Sequence, residues 1–184
     1  LGPLVAGQIF PSFGMTEPDT ASSDPTQLQT AAVLEDGEWV INGRKWFTSG
    51  AARAAYTTVM VRTEPDTPGH GAFSMIIVPT DNPGYKIVRE TPVLGINGGH
   101  YEVEYDNVRV PAENLLGEIN SGWQLITTQL NHERVGLAAT SALAFRLYEE
   151  TLIWATQNES SEEGLVIDQP WVQLDFARCY AELE

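Results

Sequence analysis

Three short stretches hold residue types and spacings that could do chemistry. The first is FGMTEPDTASSD, residues 13–24. Pro18 lies within it and Pro25 follows it, and the residues between are mostly small or hydroxylic. Such a loop lets backbone N–H groups and Ser or Thr hydroxyls approach a phosphate closely. The same residues also make an ordinary surface turn. The second stretch is Trp46 and Thr48, just before Gly50. Strand residues two apart point to one face, so an indole and a hydroxyl are expected side by side. An aromatic platform with an adjacent donor suits a flat heteroaromatic ring, although a core aromatic beside a satisfied threonine gives the same pattern. The third stretch is Asn131-His132-Glu133-Arg134. Glu133 follows Ile126 by seven positions and Arg134 follows Leu130 by four, so both border an apolar helix face. A charge pair partly removed from water is costly unless well matched. The pair is therefore either functional or a helix–helix salt bridge. Gly136, next along, costs about 1 kcal/mol relative to alanine in a helix interior.

Other chemistries lack support. His70 and His100 sit beside glycines, and no cysteine or carboxylate stands at metal spacing from them, so no metal site is expected. No GxGxxG, GxxxxGK or GxSxG pattern occurs. The net charge of -15 argues against nucleic acid, but backbone N–H groups can hold a phosphate-bearing cofactor without net positive charge. Cys179, the single cysteine, cannot form an internal disulfide and reads as a small hydrophobe in a reducing compartment. No run approaches the roughly 20 apolar residues of a membrane span, and no secretory signal is visible. The chain starts without methionine and stops inside a helical pattern, so a larger parent protein is expected.

Two regimes must position these residues. Up to about residue 118 the chain is rich in Pro, Gly, Thr and Val with short alternating runs; from Gly122, Ala, Leu and Glu dominate at helical period. In EWVINGRKWFTSG, Asn42-Gly43 is a dipeptide suited to a type I′ turn, which predicts a hairpin of 38–41 with 44–48. Further strands are expected at 27–35, 56–63, 72–78, 85–89 and 100–110, punctuated by Pro79, Pro83-Gly84 and Pro111. Several short strands with turns suggest a β-barrel or sandwich. A long helix then starts behind Ser121, a suitable cap, with Ile126, Leu130, Leu137, Ser141, Phe145, Tyr148 and Leu152 on one face. The tract 158–164 reads as a polar loop, and a second helix runs from about Pro170.

Taken in order, these stretches resemble the acyl-CoA dehydrogenase family over nearly the whole chain. MTEPDTASSD is similar to the family's TEPxxGSD, one residue longer and without its glycines; INGRKWFTSG resembles NGxKxWxTNG; YDNVRVPAENLLGE resembles F-x-x-V-x-V-P-x-x-N-x-L-G; the Glu-Arg helix follows. The resemblance implies an α+β fold: an antiparallel β-barrel or sandwich domain over 1–118, binding flavin and acyl-CoA, then from 119–184 the beginning of an up-down four-helix bundle, within an α–β–α three-domain protein. It implies FAD as cofactor. Phe13, Met15 and Thr16 would line the isoalloxazine, Ser23 would meet the cofactor pyrophosphate or the acyl-CoA, and Trp46, Phe47 and Thr48 would cover the flavin. Leu130, Asn131 and Arg134 would contact the substrate or brace the site.

The implied reaction is α,β-dehydrogenation of an acyl-CoA thioester, with Glu133 as one candidate base and a position beyond Glu184 as the other. Electron-transferring flavoprotein or a similar acceptor, a homo- or hetero-oligomer (dimer or tetramer), and a cytoplasmic, mitochondrial or peroxisomal setting are the matching expectations. The chain departs from the family in one place: an Arg-x-x-Phe-Gly stretch that reaches a neighbouring subunit's cofactor is replaced by acidic NESSEEG. Two other readings therefore stand beside the enzyme: a flavin-poor structural subunit of a hetero-oligomer, and an unrelated β-domain that binds something else.

Overall fold

The computed structural model describes residues 2–94, 97–161 and 163–184. It divides into two compact units, one running up to Thr127 and one from Thr128 to Glu184. After a single helical turn, α1 (Gly2–Val5), the first unit is built on an eight-stranded sheet. β1 (Pro11–Gly14) runs parallel to β4 (Tyr56–Arg62), and β4 pairs antiparallel with β5 (Phe73–Pro79), which carries the two-residue β8 (Leu115–Leu116). On the other side, β2 (Ala31–Glu35) pairs with β3 (Glu38–Ser49), β3 with β7 (His100–Pro111), and β7 with β6 (Tyr85–Glu90), all antiparallel. β2 and β4 meet at one pair, Ala31 with Arg62. The sheet runs β6-β7-β3-β2-β4-β5-β8 and does not close into a barrel, one of the two forms expected.

Apolar alternation explains why both faces are covered near β4. Val59 and Val61 turn into a cluster with Ile41, Ile76, Val103 and Val108, while Met60 between them joins Leu28, Phe73, Met75 and Ile126. Both clusters are inaccessible to water at these positions, and burying each such side chain contributes about 1.5–3 kcal/mol.

Two expectations about strands are corrected. Residues 27–35 are extended only from Ala31, because Asp24 caps a 3-10 turn at Pro25–Gln27. Asn42-Gly43 does not reverse the chain: β3 runs straight through it. The reversal comes earlier, at Asp36-Gly37, whose φ angles of 50° and 85° are the positive pair that a two-residue hairpin turn needs. At Asn42 the ladder carries one extra residue on β7, where Asn42 Oδ1 accepts from Asn107 N at 2.8 Å. Gly43 has φ 148°, and a Cβ there would lie 2.7 Å from Thr30 Cα. Glycine is needed for close packing rather than for a turn.

α2 (Gly122–Gln157) starts against the sheet. Ser121 Oγ donates to Glu118 O at 2.6 Å and accepts from Glu118 N, closing the turn before the helix. A Cβ on Gly122 would lie 2.9 Å from Phe73 O, so the first helical turn sits directly on β5. In the second unit, the later part of α2 packs on α3 (Pro170–Leu183) through Tyr148, whose ring meets Phe176 at 5.4 Å and Tyr180 at 5.8 Å. The single apolar face expected for α2 is thus divided. Ile126 is buried in the first unit and Phe145, Tyr148 and Leu152 are half-buried in the second, while Leu130, Leu137 and Ser141 between them are exposed. No helix among the described residues is long and apolar enough to cross a membrane.

Candidate functional site

The segment after β1 and the second half of β3 come together. Trp46 N donates to Thr16 O at 2.9 Å, and Thr16 Oγ1 donates back to Trp46 O at 2.8 Å. The two stretches singled out in the sequence are therefore joined side by side. The Thr16 N–H has no hydrogen-bond partner among the described residues.

Behind this junction lies a feature the sequence did not advertise. Lys45 is 0% exposed and Glu17 only 4%. Lys45 Nζ donates to Glu17 Oε1 and to Met15 O, each at 2.8 Å. Glu17 also accepts from Gln29 N at 2.7 Å and Thr30 N at 2.9 Å. A buried charge survives only when paired and well hydrogen-bonded, and here the carboxylate accepts from three donors and the ammonium donates to two acceptors. Burial pushes the Glu17 carboxyl up, but the Lys45 ammonium, with its hydrogen bond and those from Thr30 and Gln29, outweighs it and holds the group below its ordinary range. Burial pulls Lys45 down to about 8 against the opposing attraction of Glu17.

The expected face shared by Trp46 and Thr48 is corrected. Lys45 pairs with Val103 and Thr48 with Tyr101, so β3 spends two residues, Trp46 and Phe47, where β7 spends one. Phe47 takes φ 50° to make this bulge. Lys45 and Thr48 consequently both turn inward, whereas Phe47 is 42% exposed and Trp46 half-buried. The Trp46 and Phe47 rings lie 4.8 Å apart, and His100 stands edge-on to Phe47 at 6.3 Å with its Nδ1 2.9 Å from Ser49 Oγ. His100 was not singled out by sequence for this role; only its cross-strand register with Ser49 reveals it. The Thr48 hydroxyl is enclosed and has no hydrogen-bond partner among the described residues.

The remaining residues are placed as follows. Phe13 and Met15 are half-buried against the Leu28–Phe73 cluster. Ser22 rather than Ser23 closes the 17–22 loop, accepting from Glu17 N at 2.8 Å; Ser23 is exposed. In the second unit Leu130, Asn131, Glu133 and Arg134 are all exposed. Arg134 Nη1 donates to Asn131 Oδ1 at 3.1 Å and Gln129 Nε2 to Glu133 Oε1 at 3.1 Å, and no ion pair joins Glu133 to Arg134 among the described residues.

The chain is thus an α+β protein, an eight-stranded sheet followed by helices. Residues 12–108 match the acyl-CoA dehydrogenase middle domain and residues 120–184 the acyl-CoA dehydrogenase C-terminal domain. The chain belongs to the acyl-CoA dehydrogenase family. It is 43% identical over 195 residues to a Mycobacterium tuberculosis protein named probable acyl-CoA dehydrogenase FadE2, covering 99% of this chain and 48% of that protein. Among solved structures it resembles the Tcur3481-Tcur3483 steroid ACAD at 43% identity and TM-score 0.88, covering 99% of this chain and 45% of that one. It also resembles the ChsE4-ChsE5 complex from Mycobacterium tuberculosis at 36% identity and TM-score 0.86, covering 100% and 46%. The chain thus spans about half the length of these relatives.

Proposed function

We propose that this chain carries the flavin-facing β-domain of an acyl-CoA dehydrogenase that introduces an α,β double bond into an acyl-CoA thioester. The observation that carries the reading is the junction of Thr16 with Trp46, two residues along β3 from an enclosed Thr48 hydroxyl that lacks a partner among the described residues. A buried hydroxyl left unpaired costs about 1–3 kcal/mol, a cost that nothing among the described residues relieves. These residues fit FAD.

When bound, FAD supplies the acceptor for the substrate's β-hydrogen. Phe13, Met15 and Thr16 would line one part of the ring, with Trp46, Phe47 and Thr48 along β3; the exposed Ser23 would meet the pyrophosphate or the acyl-CoA. Leu130, Asn131 and Arg134 would hold the acyl-CoA. The Glu133 carboxylate is one candidate to take the α-proton, a position beyond Glu184 being the other. An electron-transferring flavoprotein or similar acceptor would re-oxidise the enzyme, and the working form would be an oligomer.

The full-length protein tests this. Absorbance near about 450 nm that an acyl-CoA bleaches supports the reading; a protein that never takes up flavin sinks it. A Glu133→Gln variant should still bind substrate while flavin reduction collapses. Unchanged reduction would return Glu133 to a structural role.

A second reading rests on the acidic 158–164 loop and on relatives that are mixed complexes: the chain would be a flavin-poor subunit that gains flavin only beside a partner. A colourless full-length protein that turns yellow on mixing with that partner would favour it.

A further inference from the structure

The Met15–Thr16 peptide unit has an unusual position. Its carbonyl accepts from the Lys45 ammonium at 2.8 Å, and its N–H, on Thr16, has no partner among the described residues. The ammonium is fully buried, so its field is not screened by water. Its counter-charge on Glu17 is also held by two other donors, the Gln29 and Thr30 N–H groups. Hydrogen bonds in a chain polarise one another: a carbonyl that accepts from a cation makes the N–H of the same peptide unit a stronger donor. Thr16 is meanwhile pinned to Trp46 by two hydrogen bonds, which fix its orientation.

We propose that Lys45 is a polarising and positioning residue for the flavin site, strengthening and aiming the Thr16 N–H as a donor to the electron-rich edge of the bound ring. This rests on the flavin reading above and goes beyond it, because Lys45 touches neither cofactor nor substrate. The ion pair with Glu17 is then the means of keeping a cation in a dry place. A lysine that were merely structural would be replaceable together with its partner at no cost to the flavin. A lysine that polarises the peptide would not.

The test uses full-length protein with FAD. Lys45→Met leaves Glu17 buried without a partner and can fail to fold, so the deciding variant is Glu17→Gln/Lys45→Met, which removes both charges. Lys45→Gln restores an N–H donor without the charge. Loss of a charge-assisted hydrogen bond should raise the Kd for FAD roughly tenfold in the double variant. It should also move the flavin midpoint potential to more negative values, because the reduced ring carries more negative charge. Lys45→Gln should recover part of the affinity and little of the potential. A folded double variant with wild-type Kd and wild-type potential overturns the proposal. A wild-type protein that binds no FAD overturns the functional reading instead, so the two failures are distinguishable.

Discussion

Thr16 and Trp46 are hydrogen-bonded to each other in both directions, hydroxyl to carbonyl at 2.8 Å and N–H to carbonyl at 2.9 Å. That reciprocal clasp ties the loop after β1 to the bulged end of β3. Thr16→Val keeps the shape and removes one donor, leaving the Trp46 carbonyl short of a partner. It should cost about 1 kcal/mol, read as a lower urea midpoint with unchanged slope. An unchanged midpoint would show that the side chain contributes nothing to the clasp.

The Glu17–Lys45 pair should show the non-additivity of a buried ion pair. Either Glu17→Gln or Lys45→Met alone should destabilise by about 3–5 kcal/mol, while the double substitution should cost less than either. Additive losses in a double-mutant cycle of urea unfolding would refute this coupling.

The same pair sets an acid dependence. Glu17 is held below its ordinary value of 4.5 in the folded protein. Between that lowered value and 4.5 the unfolded chain binds more protons, so stability rises with pH there and falls on acidification. Thermal unfolding from pH 6 down to pH 3 should therefore show a steeper loss for the wild type than for Glu17→Gln/Lys45→Met. Parallel curves would remove Glu17 as the source.

Gly43 distinguishes a bulge from a hairpin turn. A type I′ turn accepts asparagine at such a position, but here any side chain meets Thr30, with a Cβ 2.7 Å from its Cα. Gly43→Asn should therefore cost at least about 1–3 kcal/mol, whereas Gly37→Asn, where a Cβ meets nothing within 4 Å, should be mild. Equal effects would return the turn to Asn42-Gly43.

The second unit carries an apolar groove of about 670 Å³ between α2 and α3, lined by Leu147, Tyr148, Trp154, Trp171 and Phe176 among others. This 184-residue chain should bind a hydrophobic dye, and Leu147→Glu with Trp154→Ser should abolish most of the fluorescence. Undiminished fluorescence in that variant would place the exposed apolar surface elsewhere.

Much of the architecture could be read from the residues. Strands at 56–63, 72–78, 85–89 and 100–110 match the observed ones within one or two positions at each end, because their apolar alternation and proline punctuation are strong. Asp36-Gly37 and Asn42-Gly43 are equivalent turn signals in the sequence, and only the pairing partner decides which one reverses the chain. The bulge at Trp46-Phe47 was invisible for a related reason: alternation assumes equal residue counts on facing strands, and β7 is one residue short there. Nothing in the sequence marks Lys45, because a lysine in a strand ordinarily reaches solvent. Its burial depends on Glu17, which lies far away in sequence and adjacent in space.

The close seat of Gly122 on β5 sets where this polypeptide can be cut. Ile126 fills the space among Leu28, Met60, Phe73 and Met75 although it belongs to a helix that continues for many turns beyond them. Trimming a recombinant β-fragment at residue 118, the border suggested by composition, would empty that socket. Extending it to Thr127 keeps the plug with its hole, so the practical boundary for expressing the sheet by itself falls inside the helix.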